Sequence, residues 1–387
     1  MRRVLHLLPD LQRGGGQLVA YELAVRVDRT RFQPFVARLR PPDDLCERFA
    51  AAGVPVLAFE QGGGMVAAAI ALARQVRNHR IDVLHVHSDA DRKVGQIAAL
   101  VTGTPVVGHL HSPWAHLRPM APAGAGRAER GASVLKAAVR TVVERRTVRH
   151  YLAAGPAVAA FHRSSLHRSI TVANNGVDIR RFAPAIPPAR RGARCRLGLA
   201  PDARVLICVG RLAAGKGQSE LIEALASLPD AQLLLVGEGE ERASLERLAA
   251  DLGIVERVQF IGDTPDVVPL LWAADVFVLA SVSEGLPLSV IEAMACGLPV
   301  VTYDLPGLRD VVSDGVDGRL VPAGQRAAFV AALRSVVDDA AVHTAMGAAA
   351  RRTAVDRFDA ERMVLTVEAV YDAVAPRPRL RCAREHR

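Results

Sequence analysis

Residues Ser281–Val301, SVSEGLPLSVIEAMACGLPVV, decide how the rest of the chain is read. Pro287 suits a first helical position, where a missing N–H costs nothing. Leu288, Ile291 and Ala295 follow at helical spacing. Gly297 can take the left-handed conformation that stops a helix, and Pro299 prevents its return. An apolar strand, Val276–Ala280, precedes the helix, and a second, Pro299–Thr302, follows it. This strand–loop–helix–strand unit puts Glu284 in the loop at the carboxyl end of a strand, the edge where ligands of open α/β sheets bind. Glu292 sits between Ile291 and Ala293 on a short, largely covered helix. An unpartnered carboxylate there is costly, and a pair of ligand hydroxyls would relieve it. The plainer alternative makes Glu292 a solvated helix residue and Glu284 a neighbour of the helix cap.

The same alternation of strands and helices extends in both directions. Toward the N-terminus, strands are expected at Val4–Leu8, Phe35–Leu39, Val54–Leu57, Val83–His87 and Val106–Leu110, with helices between them. Tyr151–Ala154 and Ile170–Val172 complete this first sheet. The second sheet takes Val205–Val209, Leu233–Gly239, Val258–Gly262, the two strands of the opening unit and Gly318–Val321. Alternating β and α elements mean doubly wound parallel sheets, here two of them. Ala132–His150 has a basic helical pattern carrying Lys136, Arg140, Arg145, Arg146 and Arg149; such a face can lie on a membrane or simply be solvated. Residues 113–131, rich in Pro, Gly and Ala, are expected to form a mobile loop.

Loops at strand ends hold the remaining candidates. Gly14-Gly15-Gly16 opens a helix after the first strand, so a ligand could approach its backbone N–H groups; most such loops are merely tight turns. His85 and His87 end one strand, and His109 and His111 another, where a His either lines a cleft or fills one. Arg211 and Lys216 flank the glycine-rich loop after Val205–Val209 and can aim two cations at one diphosphate. The order of glycine and lysine there is not that of a P-loop.

Composition narrows the class. The chain has 387 residues, enough for two domains, and half of them are hydrophobic. Its five cysteines are scattered with no C-x-x-C pair, which argues against a zinc site or disulfide framework and fits a reducing cytoplasm. Pro9 and Asp10 cut the first apolar run too short for a signal peptide, and no stretch is long enough to span a bilayer. Residues 1–170 hold 24 Lys and Arg against 12 Asp and Glu, whereas residues 171–387 hold 25 against 28. A basic front half suits anionic lipid or a phosphorylated acceptor, and equally a solvated arginine-rich surface. Few aromatics and no nucleic-acid-binding signature argue against nucleic acid as a partner.

Glu284-x7-Glu292 followed by Ala-Met-Ala-Cys-Gly-Leu-Pro-Val-Val resembles the signature of the family-4 retaining glycosyltransferases, glycosyl transferases group 1. The chain reads EGLP where many members read EGFG. The resemblance extends in family order from Gly14 to Val321. It implies an α/β GT-B fold: two Rossmann-like doubly wound parallel-sheet domains facing a central cleft. By resemblance Glu292 takes the ribose hydroxyls of the nucleotide and Glu284 the donor sugar, with Gly285 and Leu286 shaping that pocket. Arg211 and Lys216 match the pattern that neutralises the donor diphosphate. Gly14, Gly15 and Gly16 match the loop between acceptor and donor diphosphate. Asn175 lies in Asn174-Asn175-Gly176-Val177-Asp178, which is similar to the family's P-N-G-V-D turn with Asn174 in place of proline. His111 best matches the histidine facing the anomeric carbon, with His109 as alternate. The catalytic set implied is His111, Glu284, Arg211 and Lys216.

Asp89-Ala-Asp91 has the form of the metal-binding triplet of the other large glycosyltransferase fold. It lies in the wrong half of the chain for that role and is read as a helix N-cap region, so no metal or other cofactor is expected. The implied division is an acceptor-binding domain over 1–183, a linker over 184–196, a nucleotide-sugar-binding domain over 197–355, a helix over 356–375 crossing back to the first domain, and a basic, disordered tail over 376–387. The implied activity moves a sugar from a nucleotide diphosphate sugar to a sugar, a small molecule or a lipid-linked acceptor, with retention at the anomeric carbon. It implies a cytoplasmic enzyme in peripheral contact with the inner membrane face. The alternatives are a nucleotide-sugar epimerase of the same fold and a non-catalytic sugar-nucleotide-binding subunit.

Overall fold

The apolar runs at the strand positions pair as two all-parallel sheets. The computed structural model describes residues 1–57, 64–113, 138–166 and 168–375. The first sheet has the order β3-β2-β1-β4-β5-β6-β7. Its strands are β1 (Arg2–Leu8), β2 (Phe32–Arg38), β3 (Val56–Leu57), β4 (Val83–Val86), β5 (Val106–Leu110), β6 (Val148–Ala153) and β7 (Ile170–Val172). The second has the order β10-β9-β8-β11-β12-β13. It comprises β8 (Arg204–Val209), β9 (Ala231–Val236), β10 (Val258–Gly262), β11 (Val276–Leu279), β12 (Val300–Tyr303) and β13 (Gly318–Val321). β4, β5, β11 and β12 are buried at every position. Parallel strands covered by helices on both faces must be apolar throughout, which is why these segments read as continuous rather than alternating runs.

Packing divides the chain into one unit of Met1–Ala153, His162–Ala173 and Val364 onward, and another of Ala154–Phe161 and Asn174–Met363. This corrects the expected first boundary. Residues 154–161 and 174–183 belong with the second unit because Ala154, Val177 and Phe182 are buried in its core beside Phe358 and Ala193. In the last helix, Ala360–Val374, residues from Val364 on belong to the first unit. There Glu368 accepts from the Asp28 N–H at 2.7 Å and pairs with Arg31, while Asp372 pairs with Arg2 and Arg31.

The segment expected as a linker, 184–196, is largely a helix, Pro187–Arg196. Its prolines occupy the first turn, where no N–H is lost. Arg190 and Arg194 reach Asp275 at 2.5 and 2.8 Å, and Asp275 also accepts from the Val205 N–H at 2.8 Å. The basic helix expected to reach His150 also ends early. Residues 138–147 are helical, and the chain turns into β6 at Val148, so Arg149 is a strand residue. Parallel pairing of Val148 to Val106 and Tyr151 to Gly108 outweighs helical propensity there. Lys136, most of the expected loop at 113–131 and the tail lie outside the described residues. Among the described residues, no helix is long and apolar enough to cross a membrane.

Candidate active site

In the second unit, two loops that follow neighbouring strands are tied together. After β8, residues 210–217 turn back so that the Gly215 carbonyl accepts from the Val282 N–H at 2.9 Å and the Lys216 carbonyl faces the Ser281 hydroxyl at 3.4 Å. Gly217 makes this approach possible. Its φ is +75°, and a Cβ there would stand 2.0 Å from the Ala280 carbonyl oxygen. The result is that the Lys216 ammonium meets the Glu284 carboxylate at 2.7 Å, although 68 positions separate them in sequence. Glu284 is nearly covered, with 10% of its side chain exposed against 35% for Lys216. Arg211 is exposed on the same loop; its carbonyl accepts from the buried Gln218 amide at 3.0 Å, which braces the start of the helix Gln218–Ala226.

The loop carrying Glu284 is held from below. Asn175 is buried and donates its Nδ2 to the Leu286 carbonyl at 2.8 Å. A Cβ on Gly307 would lie 2.0 Å from the Gly285 oxygen, so the backbone closes directly onto the loop. Asn175 thus positions the 284–286 loop, and its Oδ1 is a buried acceptor without a partner. The helix spans Leu288–Ala295, with Pro287 at its N-cap rather than its first turn, and Gly297 has φ +81° as the stop requires. Glu292 is half-buried on this helix. Burial pushes the neighbouring Cys296 thiol up to about 12, and the Glu292 carboxylate adds to the shift.

In the first unit, His111 follows β5 and faces the glycine-rich loop. A Cβ on Gly16 would lie 3.5 Å from the His111 ring, whereas one on Gly15 would meet nothing and one on Gly14 only the movable end of Gln17. Of the three glycines, Gly16 is the one that packs beside the His111 ring. Gln17 donates to Asp10 at 2.7 Å and secures the loop. A cavity of about 280 Å³ opens here, lined by Gly16, His87, Asp89, Arg92, His109 and His111 among others. Ser88 caps the helix Asp89–Thr102, with Asp89 and Asp91 in its first turn, as expected of that triplet. Asp91 is fully buried, and burial pushes its carboxyl up to about 7.

The feature missing from the sequence reading is a five-histidine stack. His6, His85, His87, His109 and His111 share one face of β1, β4 and β5 because His-x-His places two rings on the same side of a strand. Parallel pairing aligns His6 with His85. Nδ1 of His6 lies 3.1 Å from Nε2 of His87, and Nδ1 of His87 lies 3.2 Å from Nε2 of His111. A second row joins the Tyr371 hydroxyl to Nδ1 of His85, whose Nε2 lies 3.2 Å from Nδ1 of His109. Burial depresses all five, His6 to about 3 and His111 to about 4, and charge on neighbouring rings lowers His85, His87 and His109 further. The stack is therefore neutral near neutral pH. The repeated His-x-His on adjacent strands was the signal; His6 carries none of its own.

Two family models match the chain, Glycosyltransferase Family 4 over residues 13–181 and Glycosyl transferases group 1 over residues 191–353. D-inositol 3-phosphate glycosyltransferase 1 of Catenulispora acidiphila is 34% identical over 284 residues, 70% of this chain and 67% of that protein. An E. coli protein, UDP-Gal:alpha-D-GlcNAc-diphosphoundecaprenol alpha-1,3-galactosyltransferase, is 28% identical over 324 residues, 78% of each chain. The chain spans about half the length of other curated relatives it matches, 54%, 49% and 53% in three cases. Among solved structures, Anabaena HepE in complex with UDP and glucose superposes with a TM-score of 0.81 at 24% identity, over 96% of this chain and 100% of that one. Two all-parallel α/β units with these neighbours are a GT-B architecture. The chain belongs to the family-4 glycosyltransferases.

Proposed function

We propose that this chain transfers a sugar from a nucleotide diphosphate sugar to an acceptor with retention of anomeric configuration. The observation that carries the reading is the Lys216–Glu284 contact at 2.7 Å, formed by two loops at the carboxyl ends of neighbouring strands. A cation and a carboxylate held together at such an edge are equipped for an anionic leaving group and a polyhydroxyl ring. Lys216 and Arg211 take the diphosphate and stabilise charge as the sugar departs. Glu284, no longer neutralised by Lys216 alone, accepts from sugar hydroxyls and fixes the ring. Glu292 accepts from the ribose hydroxyls, and Gly285 and Leu286 shape the sugar pocket on the support of Asn175. In the first unit, the Gly14–Gly16 loop and His111 receive the acceptor. No protein nucleophile is assigned: the departing phosphate takes the acceptor proton in a front-face transfer, and no metal ion is assigned to the diphosphate.

The relatives' names include a lipid diphosphate acceptor. A lipid-linked or phosphorylated acceptor suits the excess of arginine over carboxylates in residues 1–170 and a site at the cytoplasmic membrane face. Thermal unfolding of the chain with UDP, GDP and ADP, each beside its monophosphate, tests the donor half. One diphosphate is expected to raise Tm more than its monophosphate, and Glu292→Ala to abolish the shift. Equal shifts for mono- and diphosphates would remove Lys216 and Arg211 from the diphosphate role. Acceptor-dependent release of the nucleoside diphosphate then separates transfer from epimerisation.

A further inference from the structure

The histidine stack does more than fill the first unit. The geometry points to a binding site for one transition-metal ion of the zinc class on His87, His109 and His111, with an open coordination position facing the cavity beside the glycine-rich loop. One nitrogen from each of these three rings can be chosen so that all lie within 4.8 Å of one another. Nδ1 of His87 and Nε2 of His111, the two ligating atoms, are 3.2 Å apart. Two imidazoles on a tetrahedral ion with bonds of ~2.0–2.1 Å have nitrogens about 3.4 Å apart, so the present spacing needs only a small rotation of the rings.

A buried atom without a partner supports the same place. Nε2 of His109 is buried and has no hydrogen-bond partner, and His109 is only 4% exposed. An unpaired ring nitrogen in a covered position is costly, and ligation of an ion satisfies it. The rows behind these rings complete the case. A ligating histidine ordinarily donates its other N–H to a fixed acceptor, which sets its tautomer. With Nδ1 of His87 on the ion, its Nε2–H donates to Nδ1 of His6. With Nε2 of His109 on the ion, its Nδ1–H donates to Nε2 of His85, and Nδ1–H of His85 donates to Tyr371. Every ring remains neutral and only tautomers change, so binding needs no co-reactant. Three imidazoles without thiolate or a carboxylate ligand suit zinc, cobalt, nickel or copper and disfavour magnesium or calcium. The cavity lined by Gly16, Ser112 and the three rings provides an entry path and room for water as the fourth ligand.

Titration of the chelator-stripped full chain with CoCl2 tests this without reference to sugar transfer. One equivalent is expected to give the visible absorption of a tetrahedral cobalt site, free of sulfur-to-cobalt charge transfer. ZnCl2 should displace it, and MgCl2 should not. His111 stands at the cavity rim, so His111→Gln should keep the fold, checked by circular dichroism, and lose the cobalt spectrum; His109→Gln should lose it too. His6→Gln, behind the site, should weaken binding ~10–100-fold rather than abolish it. Absence of a saturable spectrum, a spectrum retained in folded His111→Gln, or one abolished only by His6→Gln would overturn the assignment.

Discussion

Two residues of the second unit, Lys216 and Gly217, give sharp tests of the proposed site. Lys216 is a third exposed, so its bond to Glu284 is screened and contributes less than about 1 kcal/mol to stability. In the proposed reaction the same ammonium faces charge that grows only as the diphosphate leaves, where one such group is worth ~10²–10³ in turnover. Lys216→Ala is therefore expected to depress turnover by that factor with Tm nearly unchanged; full turnover with a large loss of Tm would make the residue structural. Gly217 behaves oppositely. At φ +75°, with the Ala280 oxygen 2.0 Å from where a Cβ would sit, Gly217→Ala must displace one loop from the other. The backbone strain alone is about 1–2 kcal/mol, and the clash adds to it. Lower Tm and weaker nucleoside diphosphate binding are expected, whereas Gly210→Ala, with open space at its Cβ, should do neither. If Gly217→Ala binds and melts like the parent, the strapped loops do not form the site.

At the scale of elements, the strands and the key helix were legible because they are local: apolar run, turn residue, apolar run. Gly297 stops its helix where expected, and β8, β11 and β12 fall on the apolar runs at Val205, Val276 and Val300. What was illegible depends on a distant partner. The Pro- and Arg-rich stretch at 184–196 looks like a linker until Asp275 is found between Arg190 and Arg194, about eighty positions away. Asp275→Ala leaves Arg194, 4% exposed, without its carboxylate and the Val205 N–H without its acceptor. Removing one member of a buried pair costs ~3–5 kcal/mol; because Asp275 is 21% exposed, the lower end is expected in urea unfolding. A loss below about 0.5 kcal/mol, the usual range of a surface substitution, would restore the linker reading. Cysteines show the same limit. Cys208 and Cys296 lie in apolar runs, and burial pushes both thiols up to about 12, holding them protonated. At mildly alkaline pH a thiol reagent should label Cys195, which is exposed, well before either; mass spectrometry of the native chain finds the order.

For the molecule as a whole, the last helix decides where the first unit's stability resides. The stack of His6, His85, His87, His109 and His111 was only half legible: His-x-His recurs on two strands, but no local pattern shows three strands laying their rings on one face. It was hidden altogether that a tyrosine from the far end of the chain meets it. Tyr371 is buried and bonds to His85, Glu368 caps the Asp28 N–H, and Phe32 meets the Tyr371 ring edge-on at 5.7 Å. Ending the chain after Met363 leaves the second unit with all of its own residues but strips these groups from the first. It removes the buried Val364, Val367 and Val370, and so uncovers the surface they pack on and the histidines beneath Tyr371. Loss of a large buried aromatic alone costs ~3–5 kcal/mol, a large share of a domain's whole stability. The truncated chain is expected to unfold in two steps in urea. The first step should report the first unit, and nucleoside diphosphate should shift only the second, because Lys216, Glu284 and Glu292 all remain. One cooperative transition at the parent's midpoint would mean that the crossing helix contributes little to the first unit. Loss of nucleotide binding would mean that donor recognition extends beyond the second unit.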